Sequence, residues 1–359
     1  IGQIGIFGQN FSNIMDLSNK QILITGASGR LAQQIIYELN KLGIRPIAQV
    51  RPDSNTSFID SLKLEKRVTD LRNRTELPAL VKDIDFIIHT VAIIDFRQDR
   101  FTQFAGINTI AAIDIFNAAV NAGVKRFVHV SSAAAIGGVL RTHSSDELRG
   151  DINLADESHP FNLERIHIPY ILTKRAAETE LLKLSNGGST NLVIVNPSIV
   201  MAPSRSGDDR AKAKKRLKGF IVPDLRNRVN LVDIRDVAKG VIGALKQGKH
   251  RERYILGGDN ITVRELILAI SIELGKTPHL FKFPKGFFQL TSRMAVFFAR
   301  LTGKSKISYY PDLVKLLDYD WAFSSMKARN ELGYTNRSIY TSLKELLNNE
   351  FTDTYIKPL

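Results

Sequence analysis

The chain contains no cysteine, so disulfides, thiolate nucleophiles, iron–sulfur clusters and thiolate-ligated zinc are excluded together. Its seven histidines are scattered without metal-ligand spacing, which argues against a metal enzyme. Charges interrupt the apolar stretches before they reach the roughly 20 residues a membrane-spanning helix needs. The expectation is a soluble, cytoplasmic protein, or one resting peripherally at a membrane surface. Low-complexity tracts are also missing, and 43% apolar with 24% charged residues is the composition of a chain that folds. A length of 359 residues suits one large α/β core and a smaller lobe.

What is abundant is positive charge. Fifty Lys and Arg stand against 36 Asp and Glu, a formal net charge of +14. Such an excess attracts nucleic acid, an anionic surface or an anionic small molecule. Most of it is dispersed, apart from one dense run over residues 210–218 that reads as a loop. Neither a zinc finger nor an aromatic RNA-binding motif accompanies that run, so no nucleic-acid partner is expected.

Residues 1–19 read as a peripheral arm. Gly2, Gly5 and Gly8 imitate a nucleotide-binding glycine string, but no amphipathic helix follows them. From Lys20 short apolar strands alternate with amphipathic helices: strands over 21–25, 44–50, 85–89, 126–130 and 191–195, helices over 30–42, 108–122 and 170–184. Strands with little polar alternation between helices indicate a Rossmann-type, doubly wound parallel sheet covered on both faces. Residues 20–200 form this nucleotide-binding domain, and 201–359 mainly a small, mostly helical substrate lobe, with 231–258 returning to the first domain. The lobe should close over the C-terminal strand edge, where open α/β sheets bind ligands.

The first strand runs directly into Thr25-Gly-Ala-Ser-Gly-Arg-Leu-Ala32 and then a helix. Gly26 permits a tight turn, Gly29 permits close approach to a pyrophosphate, and Ala32 lets helix and strand pack closely. Backbone N–H groups at the helix start, around Ser28, Gly29, Arg30 and Leu31, then face phosphates. At the end of the second strand, Arg51 occupies the position where an NAD site places an acid and an NADP site a cation. Arg51, with help from Arg30, favours NADP(H). Asp53, two residues on, keeps NAD(H) open. Asp70 and Leu71 follow a short strand and are candidates to touch the adenine ring.

Tyr170 and Lys174 stand at i and i+4 of a predicted helix and share one face. A carbonyl receiving hydride needs a proton on oxygen, and an ammonium beside a phenol favours the phenolate. Ser131 and Ser132 follow the 126–130 strand at the same sheet edge, Ser132 being placed to bond the substrate oxygen. Asn108 begins a long helix, either as its N-terminal cap or as the holder of a water or backbone group on a proton path to Lys174.

These residues resemble the extended branch of the short-chain dehydrogenase/reductase family, also called the NAD-dependent epimerase/dehydratase superfamily, over roughly residues 20–351. The glycine loop is similar to the family's T-G-x-x-G-x-x-G, with Ala32 in the last position. The resemblance implies that Asn108, Ser132, Tyr170 and Lys174 are catalytic and that Asn108, Tyr170 and Lys174 also meet the cofactor. It further implies that Thr90 and Ala92 line the cofactor and that Asn196, Pro197 and Ser198 pass the nicotinamide. Within the family the chain is similar to dihydroflavonol-reductase-like and 3β-hydroxysteroid-dehydrogenase-like proteins, partly through Trp321 to Tyr334.

What the resemblance implies is reversible ketone/secondary-alcohol hydride transfer on an apolar small molecule, with Tyr170 as general acid or base. The rival is a sugar-nucleotide epimerase or dehydratase holding NAD tightly. Ser132-Ala133 lacks the acidic residues a dehydratase places after that Ser, while the basic run suits a diphosphate. A homodimer is a further expectation, as is membrane-surface contact through 287–301, where aromatics outnumber what one packing face needs.

Overall fold

Short strands without polar alternation are stable only when both of their faces are buried, and this requirement shapes the first half of the molecule. The computed structural model describes residues 15–94, 101–141, 153–204, 207–216, 221–284, 286–291, 294 and 311–351. The elements run β1 (Ile22–Thr25), α1 (Arg30–Lys41), β2 (Ile47–Val50), α2 (Ser57–Ser61), β3 (Lys66–Val68), α3 (Leu77–Leu80) and β4 (Phe86–His89). A continuous helix, Phe101–Asn121, follows, made of α4 (Phe101–Phe104), a π-helical turn (Ala105–Ile110) and α5 (Ala111–Asn121). Then come β5 (Arg126–Val130), β6 (Val139–Leu140), α6 (Pro169–Leu184), β7 (Asn191–Pro197), β8 (Ile199–Met201), α7 (Asp209–Arg216) and β9 (Ile221–Pro223). The remainder holds β10 (Arg228–Asp233), α8 (Ile234–Gln247), β11 (Arg253–Leu256), β12 (Asp259–Thr262), α9 (Val263–Glu273), β13 (His279–Phe281), β14 (Tyr319–Asp320) and the helices Met326–Leu332 and Ile339–Asn348.

Seven strands form one all-parallel sheet in the order β11-β7-β5-β4-β1-β2-β3. Side chains alternate between its faces. Ile22, Ile24, Val128 and Val193 point toward α1 and α8, where Ile35, Leu39, Val237 and Val241 meet them. Leu23, Ile87, Phe127 and Ile194 point the other way, onto Ile115, Phe116 and Leu181 of α5 and α6. Each such buried side chain contributes about 1.5–3 kcal/mol of hydrophobic stabilisation. The strand order reverses beside β1, with β2 on one flank and β4 on the other, so a crevice opens at their C-terminal ends. β11 closes the opposite edge, and its outward Ile255 N–H is taken by Glu157 Oε1 at 2.7 Å.

Two sequence expectations change. Helix Phe101–Asn121 is long and apolar enough, by length and composition alone, to cross a membrane, contrary to the expectation that no segment is. In this structure it is a helix of the sheet's face, with Phe104, Ala111, Ala112, Ile115, Phe116 and Ala119 buried. The basic run, read as a loop, is helical through Arg216, and Arg210 Nη1 donates to Asn348 Oδ1 at 2.9 Å, tying α7 to the end of helix Ile339–Asn348. Residues 217–220 lie outside the described residues, as does most of the proposed membrane-facing segment 287–301, of which 287–291 and 294 are described.

The C-terminal region adds a three-stranded sheet, β12-β10-β8, to its helices. Buried charge joins it to the main core. Arg235, 2% exposed, donates to Asp233 Oδ2 at 2.8 Å and to Glu345 Oε2 at 2.6 Å, and Ser342 donates to the same Asp233 oxygen at 2.6 Å. Arg337 adds a bond to Asp236 at 3.0 Å. Helix Ile339–Asn348 is thereby fixed against the start of α8.

Candidate active site

The loop after β1 turns at Gly26, whose φ of +69° lies in the left-handed region and whose Cβ, if present, would meet Val91 Cγ2 at 2.9 Å. The Gly26 N–H donates to Gln49 Oε1 at 2.8 Å, and Gln49 Nε2 donates to the Thr69 carbonyl at 2.6 Å. One buried amide thus ties the glycine turn to β2 and to the segment after β3. Gly29 takes extended geometry at the N-cap of α1, where no side chain caps the helix and the first turn holds no acid. The uncapped helix start leaves its dipole and first-turn N–H groups to suit a diphosphate.

On the other side of the crevice Pro169 starts α6 after an extended Ile168, and this sets Tyr170 in the first turn. Its phenol is hydrogen-bonded to Ser132, whose Oγ also accepts from Ala134 N–H at 3.2 Å. Burial pushes the Tyr170 phenol up, with the Ser132 bond opposing. One turn on, Lys174 is 1% exposed and donates from Nζ to the Val130 carbonyl at 2.7 Å. Burial pulls its ammonium down to about 8, against the opposing pull of Glu178. The expected lowering of the phenol by Lys174 is therefore not what this geometry displays; desolvation dominates at Tyr170.

Asn108 is not a helix cap. It sits inside the π-helical turn of a helix that begins earlier than expected, 1% exposed, where an extra residue per turn aims a side chain inward. Its Oδ1 accepts from Ile93 N–H at 2.7 Å, and Nδ2 donates to the Ile93 carbonyl at 3.1 Å and to Thr173 Oγ1 at 3.2 Å. The loop after β4 is thus clamped to α6. Thr90 bonds the Thr25 carbonyl at 2.7 Å, and Ala92 is half-buried beside it. Where β7 ends, Asn196 Nδ2 donates to the Ser132 carbonyl at 3.0 Å, Pro197 is buried, and Ser198 Oγ and Asn196 Oδ1 are buried without a partner among the described residues. Those orphaned oxygens fit a carboxamide group, so the residues present accommodate a nicotinamide dinucleotide.

The structure therefore gathers Asn108, Ser132, Tyr170, Lys174 and the Asn196–Ser198 segment around one crevice, with Gly26, Ser28, Gly29 and Leu31 at its other end. Leu31 is half-buried and packs on the core. Ser131 is buried, and its Oγ makes no hydrogen bond among the described residues. Arg30 reaches the Pro203 carbonyl at 3.1 Å, Asp70 is held by Arg72 at 2.5 to 3.1 Å, and Leu71 is core. Gln49, Glu178 and the stacked histidines His89 and His129, ring centroids 5.5 Å apart, were not singled out from sequence. A polar residue in an otherwise apolar strand was the available signal for Gln49, and a third i+4 step for Glu178.

A model of the "NAD dependent epimerase/dehydratase family" matches residues 22–257. The chain is 27% identical over 348 residues to a putative dihydroflavonol 4-reductase of Synechocystis sp., covering 93% of this chain and 95% of that one. To a UDP-glucose 4-epimerase of Vibrio cholerae it is 25% identical over 301 residues, covering 80% and 84%. The crystal structure of gox2253 superposes with a TM-score of 0.75 at 27% identity, covering 94% and 100%. The NADP(H) expectation is overturned. Structures sharing this fold, DesIV from Streptomyces venezuelae (TM-score 0.68, 19% identity, covering 91% and 96%) and MoeE5 (TM-score 0.64, 19%, covering 91% and 97%), hold NAD. The physical reason lies at Arg51, which is exposed, stands 4.0 Å from Asp53 and also feels Asp70. Asp53 already offsets the cation that a 2′-phosphate would need, and Arg30 is committed to the Pro203 carbonyl.

Proposed function

Because the chain belongs to the NAD-dependent epimerase/dehydratase family, we propose that it oxidises and re-reduces a ring alcohol of a sugar nucleotide, with NAD held between the Gly26 loop and the Asn196–Ser198 segment. The observation that carries this reading is the Ser132–Tyr170 hydrogen bond at the C-terminal sheet edge, directly above the buried Lys174. The nicotinamide, when bound, supplies reversible hydride acceptance at its carbon four. Tyr170 removes the proton from the alcohol as hydride leaves the carbon and gives it back when hydride returns. Ser132 holds the substrate oxygen beside the phenol. Lys174 holds the nicotinamide ribose. Asn108 keeps the loop at Ile93 in register with α6.

Epimerisation is favoured over dehydration, since Ser132 is followed by Ala133, Ala134 and Ala135 in a tight turn, with no acid to expel water. UDP-glucose suits the test, since a UDP-glucose 4-epimerase is among the relatives and the net charge of +14 favours an anionic substrate. Purified protein should release NAD, and not NADP, on denaturation. It should interconvert UDP-glucose and UDP-galactose with no net consumption of added cofactor, followed by proton NMR. Empty protein that instead oxidises NADH stoichiometrically with an added ketone would overturn the epimerase reading.

That outcome belongs to a second reading, reduction of an apolar ketone, which one observation favours. Tyr170 packs against an apolar cluster of Leu163, Ile166, Ile168 and Ile171, with Phe161 and Trp321 nearby. The likeness to a putative dihydroflavonol 4-reductase points the same way.

A further inference from the structure

The Tyr170 and Lys174 side chains continue into a third. Glu178 lies one more turn along α6, is 0% exposed, and is the acid whose charge supports the Lys174 ammonium. Its Oε1 accepts from Asn196 Nδ2 at 2.5 Å, and Arg253 Nη1 approaches Oε2 at 3.6 Å from β11. Asn196 in turn donates to the Ser132 carbonyl at 3.0 Å. Glu178 therefore contacts the segment assigned to the nicotinamide and, through Asn196, is linked to the strand end that carries Ser132.

A neutral glutamine would satisfy the Asn196 bond without the cost of burying a carboxylate. The charge needs a reason, and the surroundings supply one. The titratable groups around Lys174 are Tyr170 and Glu178 on its own helix, His89 on β4 and His129 on β5; Arg175 and Arg253 stand behind Glu178. Burial and the Lys174 charge together keep both histidines neutral, His89 falling to about 3. Glu178 is left as the single anion acting on Lys174 among the described residues.

We propose that Glu178 is a positioning residue whose buried carboxylate keeps Lys174 charged and locks the Ser131–Ser132 strand end to Asn196. The proposal rests on the reading of Tyr170 and Lys174 as the reacting pair. Burial pushes the Glu178 carboxyl up, and Arg253, reaching Oε2 from the sheet edge, pulls against that.

The test titrates Lys174 directly in the full-length protein, by side-chain NMR of isotope-labelled lysine, with its signal assigned from the loss in Lys174→Met. The wild-type midpoint should fall near 8. In Glu178→Gln it should drop by about one pH unit or more, because the shape is kept and the charge is lost. Arg253→Met leaves every side chain of α6 in place, should move the midpoint in the same direction, and carries the test if Glu178→Gln does not fold. An unchanged midpoint in a folded variant overturns the proposal, since a purely structural role would alter stability and not this titration. Turnover of Tyr170→Phe is measured alongside. Undiminished turnover there would sink the catalytic reading while leaving the Glu178–Lys174 coupling to be judged on its own midpoint.

Discussion

Tyr170→Phe separates chemistry from architecture because of how the ring is held. The ring packs among Leu163, Ile166, Ile168 and Ile171, and phenylalanine keeps all of that contact. What disappears is one hydroxyl and its bond to Ser132. Such a bond contributes about 0.5–1.5 kcal/mol net, and burial of the bare ring edge offsets part of it. The melting temperature should therefore fall by no more than about 3 °C. The hydroxyl is also the group assigned to carry the proton, and positioned acid-base catalysis accounts for about 10²–10⁴ in rate. That is roughly 2.7–5.5 kcal/mol of barrier, several times the folding loss. Two measurements decide it: thermal unfolding with NAD present, and initial rates of UDP-glucose to UDP-galactose conversion followed by NMR. Turnover within about threefold of wild type, at the scale of a lost neutral hydrogen bond, refutes the assignment. So does a variant that unfolds, because the loss would then be architectural.

Arg51→Ala should leave the NAD dissociation constant within about threefold of wild type, as expected for an exposed cation already offset by Asp53; isothermal titration checks this, and a loss above tenfold would make Arg51 a direct cofactor contact. Lys174→Met removes an ammonium whose pKa is about 8 when folded against about 10.4 when unfolded. Between those values the unfolded chain holds a proton that the folded one lacks, so this group's contribution to stability rises with pH. Measured by urea unfolding from about pH 7 to pH 10.5, wild type should gain about 3 kcal/mol relative to the variant; a pH-independent difference would contradict the burial of a charged Lys174. Arg235→Met leaves buried Asp233 with only the more distant Arg337, at 3.9 Å, and should cost about 3–5 kcal/mol, with hydrogen exchange accelerating first in helix Ile339–Asn348; uniform exchange would argue against that helix depending on the pair.

Much of the first half was legible because local pattern and environment agree there. Gln21–Thr25 has no polar alternation, a glycine turn follows, and an amphipathic helix comes next; only a parallel strand with a covered sheet suits that order. Tyr170 and Lys174 were legible for the same reason, since helical spacing alone places them on one face. Asn108 was located but misplaced, because helix Phe101–Asn121 continues through a π-helical turn, and an inserted residue leaves no mark on apolar periodicity. Arg51 misled for a different reason. A strand-end cation says phosphate only if nothing else claims its charge, and the claimant, Asp53, arrives through a turn that sequence spacing does not resolve. Gln49 and Glu178 lay hidden as ordinary polar residues. Their meaning comes from long-range partners, Gly26 and Asn196 among them, that no local window contains.

The placement of β11 has a consequence during synthesis. The strand that seals the β7 edge is encoded at residues 253–256, after the three-stranded sheet's β8 and β10 and all of α8. A nascent or truncated chain lacking it exposes the unpaired N–H and C=O groups of β7, a seven-residue, strongly apolar strand, which is a template for pairing with another chain. Arrival of β11 ends that exposure, and Glu157, by taking the outward Ile255 N–H, blunts the new edge it creates. Premature termination before residue 253 should thus yield aggregates that engage chaperones, whereas loss of the final helix should leave the seven-stranded sheet with its border intact.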